Sequence, residues 1–236
     1  RTAIEMVLKN EKFIRKALLP SYCCDSMIEP FRKAKIEVDF YSVKYEEELK
    51  IDLKIEDDVD CILWCNYFGF NYLMPNLSSF IKSGGIIIED ITHSFYSKNK
   101  FHEQSTYLVA SLRKWEPIIC GGYVSTKLSN KKVLNLMQPP NSFLEKKKHA
   151  MLMKKEYLLD NSSVSKQEFL NLFSETNKWL ANNYSRLSID EYSKNYLMNI
   201  DYKNHREQRI KNAKILYEGL RDCFNIQFLF SLDDMD

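Results

Sequence analysis

The spacing of apolar and polar positions changes character near residue 127. Before that point, short apolar runs alternate with segments of helical period. Ala17-Leu18-Leu19, ending at Pro20, reads as a strand, and Val38-Asp39-Phe40-Tyr41 alternates as a half-buried strand does. Cys61 to Cys65 is almost continuously apolar and is followed by the polar turn Asn66 to Gly69. Ile86-Ile87-Ile88 runs into Glu89-Asp90, and Tyr107 to Ala110 and Gly122 to Ser125 complete the set of strands. Between them, Ala3, Ile4, Val7 and Leu8 share one helical face. Residues 24–33 and 76–82 read as further helices, the second stopped by Ser83-Gly84-Gly85. Thr2 and Glu5 have the spacing of a capping box, with Thr2 at the N-cap. Asp90, taken alone, reads as the N-cap of a helix over 92–96. Short apolar strands separated by helices predict an α/β fold: a three-layer α/β/α sandwich with a mostly parallel sheet covered on both faces.

After residue 128 the segments become long, charged and helical, over 143–159, 165–182, 189–198 and 203–220. In the last, Ile210, Ala213, Leu216, Tyr217 and Leu220 recur every three or four residues. The lysines at 146–148 and 154–155 are interrupted by Glu145 and Glu156 and read as a solvated helix face. A strand is expected to begin near Ile226 and run through Phe228-Leu229-Phe230-Ser231. The chain starts without Met inside a helix start, and both ends read as cut. The expected division is a domain core over 1–127 and a helical continuation over 128–236 leading into a truncated C-terminal small domain.

Composition narrows the possible partners. Lys and Arg total 34 against 32 Asp and Glu, a formal charge of +2. So close a balance gives no bulk-charge argument for nucleic acid or a membrane surface. No apolar run reaches the length of a membrane span. The six cysteines and four histidines show no metal-ligand spacing, so buried free thiols in a reducing cytoplasm are expected.

In an open parallel sheet, ligands bind beyond the carboxyl ends of the strands. The polar residues at those ends are Ser21-Tyr22, Asn66-Tyr67, Asp90 with His93, and Ser111 with Lys114. A carboxylate, a lysine and a hydroxyl at neighbouring strand ends, with a helix start close by, suit pyridoxal phosphate (PLP). The lysine joins the aldehyde, the carboxylate keeps the ring nitrogen protonated, and the phosphate takes the free N–H groups of the helix.

Several of these segments also resemble a family, the DegT/DnrJ/EryC1/StrS group of PLP-dependent sugar aminotransferases of fold type I. The resemblance runs through Arg1-Thr2-Ala3-Ile4-Glu5, Leu19-Pro20-Ser21-Tyr22, Ile88-Glu89-Asp90-Ile91-Thr92-His93, and Ser111-Leu112-Arg113-Lys114 with Gly121-Gly122. Arg206, Arg209 and Asn212 fall where the family's long helix carries Arg and Asn. The resemblance implies that Lys114 bonds to the cofactor and carries the proton, and that Asp90 meets the pyridinium nitrogen. It implies that His93 lies against the ring, and that Thr2, Ala3 and Ser111 hold the phosphate. It implies an antiparallel last strand over 122–126 and a site at a homodimer interface. The reaction implied is transfer of an amino group from an amino acid, glutamate foremost, to a nucleotide-linked keto-sugar.

The sequence also departs from the family. Ser111 lies three residues before the lysine, where the family has five. Cys23-Cys24 stands where the family stacks an aromatic on the ring, which leaves Tyr22 or Tyr67 for that task. The family's later G-Y-N-Y-R-M segment has only Asn195-Tyr196-Leu197-Met198-Asn199 as a faint counterpart. Two alternatives stay open: a PLP enzyme of another reaction type, such as a dehydratase, and a PLP-fold protein that binds without turnover. An intact Lys114 weighs against the dehydratases. The absence of a G-x-G-x-x-G after an early strand disfavours a nicotinamide oxidoreductase.

Overall fold

The structure is a computed structural model, and residues 1–46, 48–69, 74–97, 101–129 and 131–228 are described. Among them, the strands are β1 (Lys16–Pro20), β2 (Glu37–Tyr45), β3 (Leu49–Asp52), β4 (Cys61–Cys65), β5 (Ile86–Asp90), β6 (Tyr107–Ser111) and β7 (Gly122–Thr126). They form one sheet in the order β3-β2-β1-β4-β5-β6-β7. The strands from β2 to β6 run parallel, and the two edges, β3 and β7, pair antiparallel to their neighbours. The helices are α1 (Thr2–Asn10), α2 (Asp25–Lys33), α3 (Ser78–Lys82), α4 (Asn141–Leu159), α5 (Lys166–Asn183), α6 (Glu191–Asn199) and α7 (Tyr202–Leu220).

Alternation along the strands sends side chains into two cores. Cys61 and Leu63 of β4 and Ile86 and Ile88 of β5 pack under α1 and α2, against Val7, Leu8 and Phe31. Ile62, Trp64 and Ile87 face the other way, towards Leu77 and the partly buried Phe80 and Ile81 around α3. Near β6, Ala110 joins Ile91, Leu112 and Ile118 under Leu197 of α6. The sheet is thus covered on both faces, which is why β4 and β5 are apolar at successive positions.

The helical second half returns to the first. α4 and α5 pack as a pair, with Phe143 and Trp179 stacked at 4.5 Å between ring centroids. The end of α5 then meets α1: Ser185 Oγ and the Arg186 amide donate to Glu5.

Several expectations need correction. Thr2 does not cap α1. The N-cap is Arg1, with no side-chain cap, and the Thr2 hydroxyl donates instead to the Tyr184 carbonyl at 2.7 Å. Glu5 is taken by Lys9, Ser185 and Arg186, so no capping box forms. Residues 92–96 form turns, not a helix, although Asp90 does accept the Thr92 amide at 2.8 Å. β2 extends to Tyr45 and hairpins into β3, a strand whose exposed charges (Lys50, Asp52) hid its pattern. Lys147, expected on a solvated face, is buried against α5, with Nζ 2.9 Å from Asn177 Oδ1. Residues 226–228 form no strand, and the rest of the expected C-terminal strand lies outside the described residues.

Candidate active site at the carboxyl ends of the strands

A cleft of about 790 Å³ opens where β4, β5 and β6 end, below the start of α1. Thr2, Ala3, Tyr22, Tyr67, Asp90, His93, Ser111 and Lys114 all line it. Local folding explains each position. Asp90 is the last residue of β5, pairing with Cys65 of β4 and Val109 of β6. Ser111 ends β6, and Leu112–Lys114 make a single 3-10 turn that carries Lys114 over the strand end. The Ser111 amide is fixed by the Thr92 hydroxyl at 3.0 Å, which ties the lysine turn to the Asp90 turn.

Asp90 is half-buried and accepts from Thr92, yet it forms no ion pair among the described residues. Burial raises its carboxyl above the usual aspartate value, and the bonds from Thr92 and the nearby His93 pull the other way. Lys114 is exposed, and its ammonium has neither an ion pair nor a hydrogen bond among the described residues.

One wall of the cleft is aromatic. Tyr67 is buried and donates its hydroxyl to the Tyr22 carbonyl at 2.6 Å, with the two rings 5.7 Å apart. Phe68 follows at 6.1 Å from Tyr67 and stacks on His93 at 6.2 Å. The Phe68 amide donates to His93 Nδ1 at 3.0 Å, which leaves Nε2 as the outward ring nitrogen. This turn is tightly built: Gly69 has φ +86°, and a Cβ there would fall 2.5 Å from the His93 carbonyl oxygen. Any other residue would push the His93 turn away.

The start of α1 forms the roof. With no side-chain cap, the first backbone N–H groups of this turn, which lines the cleft, are left for another acceptor. Thr2 brings only its backbone there, because its hydroxyl is spent on Tyr184.

Sequence reasoning missed three contributors. Arg113 lines the cleft beside Lys114. Phe68 completes the aromatic wall. Tyr184 and Leu187 to Ile189 form the back wall, brought in from far along the chain with no local signal. Arg113 was visible only as the neighbour of Lys114, and the turn half-buries the arginine while leaving the lysine exposed.

The residues present fit PLP. A carboxylate awaits a cation, a lysine is unengaged, N–H groups await a phosphate, and a wall of rings can flank a planar heterocycle. Fold and cleft together define an open, mostly parallel α/β protein with a charged cleft at its strand ends.

No protein-family model matches the chain, and no curated protein sequence matches it. Solved structures do. NtdA from Bacillus subtilis, with bound cofactor PMP, is similar at 15% identity and a TM-score of 0.42, over 57% of this chain and 37% of that one. A PLP-bound protein from Clostridium difficile 630, provisionally assigned as an aminotransferase, is similar at 16% identity and a TM-score of 0.42, over 93% and 55%. A protein from Bacillus cereus ATCC 10987, provisionally assigned as a PLP-dependent aminotransferase, matches at 18% identity and a TM-score of 0.40, over 52% and 36%. The chain spans between a third and just over half of the length of these structures.

Proposed function

We propose that this chain is the cofactor-binding body of a PLP-dependent aminotransferase, moving an amino group from an amino acid such as glutamate to a keto-sugar, the sugar nucleotide-linked, in a homodimer. One observation carries the reading. Asp90 and Lys114, opposite charges without ion-pair partners among the described residues, stand at neighbouring strand ends in one cleft. Bound PLP supplies an electron sink that makes the amino-bearing carbon acidic. Asp90 holds a protonated ring nitrogen, and its raised affinity for a proton falls once that cation is beside it. Lys114 is the residue that would hold the cofactor at its aldehyde carbon, and its amine, when free, would carry the proton. The first turn of α1, at Thr2 and Ala3, holds the phosphate through backbone N–H groups, with the Ser111 hydroxyl as a side-chain donor. Tyr22, Tyr67 and His93 flank the ring and keep it oriented.

Absorbance spectroscopy tests this reading. Added PLP is expected to give a band near the visible edge, and borohydride is expected to fix the cofactor on Lys114; Lys114→Ala removes both. Absence of the band and of the adduct in the wild type defeats the reading. A band that glutamate never converts to the pyridoxamine form defeats transamination alone. That second outcome favours a binding protein without turnover, a reading to which the exposure of Lys114 lends support.

A further inference from the structure

The two residues that follow Lys114 are held by a helix that lies outside the cleft. Along α7, Tyr202, His205 and Arg209 stand three and four residues apart and so share one face. No residue of α7 is buried, so this face is not an apolar stripe set on a core. It meets the lysine turn with polar and aromatic groups instead. His205 Nδ1 lies 3.3 Å from Glu116 Oε1, and Arg209 Nη2 donates to the Trp115 carbonyl oxygen at 3.0 Å. The Arg209 guanidinium also lies over the Trp115 ring, 4.6 Å from its centroid. Tyr202 packs on Tyr96 at 5.4 Å, and Tyr96 packs edge-on against Trp115 at 5.0 Å. The Tyr96 hydroxyl donates to buried Glu116.

Trp115 carries this grip to Asp90 and Lys114. Its indole N–H donates to the Thr92 carbonyl. Thr92 is also the residue whose amide bonds to the Asp90 carboxylate at 2.8 Å and whose hydroxyl accepts the Ser111 amide at 3.0 Å. The Trp115 amide closes the turn on the Leu112 carbonyl at 3.1 Å. The Lys114 side chain is exposed and makes no bond of its own among the described residues, so its aim follows the backbone of this turn. A displaced Trp115 therefore re-aims Lys114 and loosens Thr92 beside Asp90 in one movement. Arg209 itself is exposed, and truncating an exposed side chain ordinarily leaves stability almost unchanged. Its weight falls on the turn and not on the core.

We propose that Arg209 is a positioning residue for Lys114: by holding both the ring and the carbonyl of Trp115, it fixes the turn that aims the lysine and sets it against Asp90. The proposal rests on the reading of Lys114 as the residue that holds PLP.

PLP titration followed by absorbance, together with thermal melting and hydrogen exchange of the ligand-free chain, tests it. Arg209→Ala is expected to weaken PLP uptake, read at the absorbance band and the borohydride adduct on Lys114, by about fivefold or more, the combined weight of an exposed cation–π contact and a hydrogen bond. Arg209→Lys keeps a cation near the ring and is expected to recover part of the loss. Lys211→Ala, an equal loss of charge from an exposed side chain of the same helix, is expected to take up PLP as the wild type does. Without ligand, Arg209→Ala is expected to melt with the wild type, while the amides of residues 111–116 exchange faster and those of β4 and β5 do not change. The proposal is overturned if Arg209→Ala takes up PLP as tightly as the wild type, if lysine at this position recovers nothing, or if Lys211→Ala weakens uptake equally. It is also overturned if exchange over 111–116 is unchanged, or if Arg209→Ala melts well below the wild type, which would make the arginine a structural anchor. A wild type that gives neither band nor adduct defeats the cofactor reading, and the role of Arg209 falls with it. A wild type that gives both, matched by Arg209→Ala, defeats this proposal alone.

Discussion

The two ends of the sheet treat charge in opposite ways. At the amino ends, Lys16 of β1 is held by Asp39, Glu56 and Asp58 at 2.9–3.0 Å. Buried Glu11, just before β1, accepts from the Tyr107 hydroxyl and pairs with Lys131 at 2.6 Å. Asp60 accepts the amides of Arg15 and Lys16. At the carboxyl ends, Asp90, Arg113 and Lys114 have no ion-pair partner among the described residues. Glu89 sharpens the contrast, since it is the residue next to Asp90 but points to the opposite face. It is buried and filled by donors: Asn66 Nδ2 at 2.6 Å, the His102 amide at 2.9 Å and the Ser105 hydroxyl. Two adjacent carboxylates on one strand therefore have different fates, one satisfied by the protein and the other left for something else. Incomplete electrostatics set the carboxyl end of this sheet apart more clearly than the residue types do.

Substitutions can break this comparison. The largest effect is expected from Glu89→Ala, which removes the shared acceptor of Asn66, His102 and Ser105; urea unfolding should show a loss of about 3 kcal/mol or more. A mutant as stable as the wild type would mean that Glu89 is no structural anchor. Glu11→Ala should come next, at about 2 kcal/mol, from the loss of its bonds to Tyr107 and Lys131. Asp90→Asn should change stability by less than about 1 kcal/mol, because the amide oxygen still accepts from Thr92, yet it should abolish or shift the PLP absorbance band. A large stability loss here would move Asp90 into the structural class with Glu89.

A pH dependence gives a further test. Lys147 titrates near 8 in the folded protein, below its ordinary value of 10.5. Between those values the unfolded chain binds the extra proton, so this group's contribution to stability rises with pH. Unfolding curves should therefore show the wild type gaining on Lys147→Met as pH climbs from 8 towards 10.5. A constant difference would show that the lysine is not strained by its surroundings.

How much was legible in advance follows from where each signal lies in the chain. β4 and β5 were readable almost to the residue, because burial on both faces makes Cys61–Cys65 and Ile86–Ile88 apolar throughout. β3 was not, since only four residues, Leu49 to Asp52, alternate between half-buried and exposed positions, too short a run to stand out. The positions of Asp90 and Lys114 at strand ends followed from the strands themselves. The role of Thr2 was misjudged because its hydroxyl partner, the Tyr184 carbonyl, belongs to another part of the chain. The same distance hid Ser188, whose neighbours give it no local distinction.

The bond from Thr2 to Tyr184 joins residues 182 positions apart. Closing so long a loop carries a large entropic cost before any contact rewards it, and long-range contacts of this kind slow folding. The sheet can assemble from strands near one another in sequence, but the back wall of the cleft cannot form until α4 and α5 have been made and the segment after them has docked. Ligand competence should therefore be the last property a refolding chain acquires, arriving after its secondary structure and sheet core are complete.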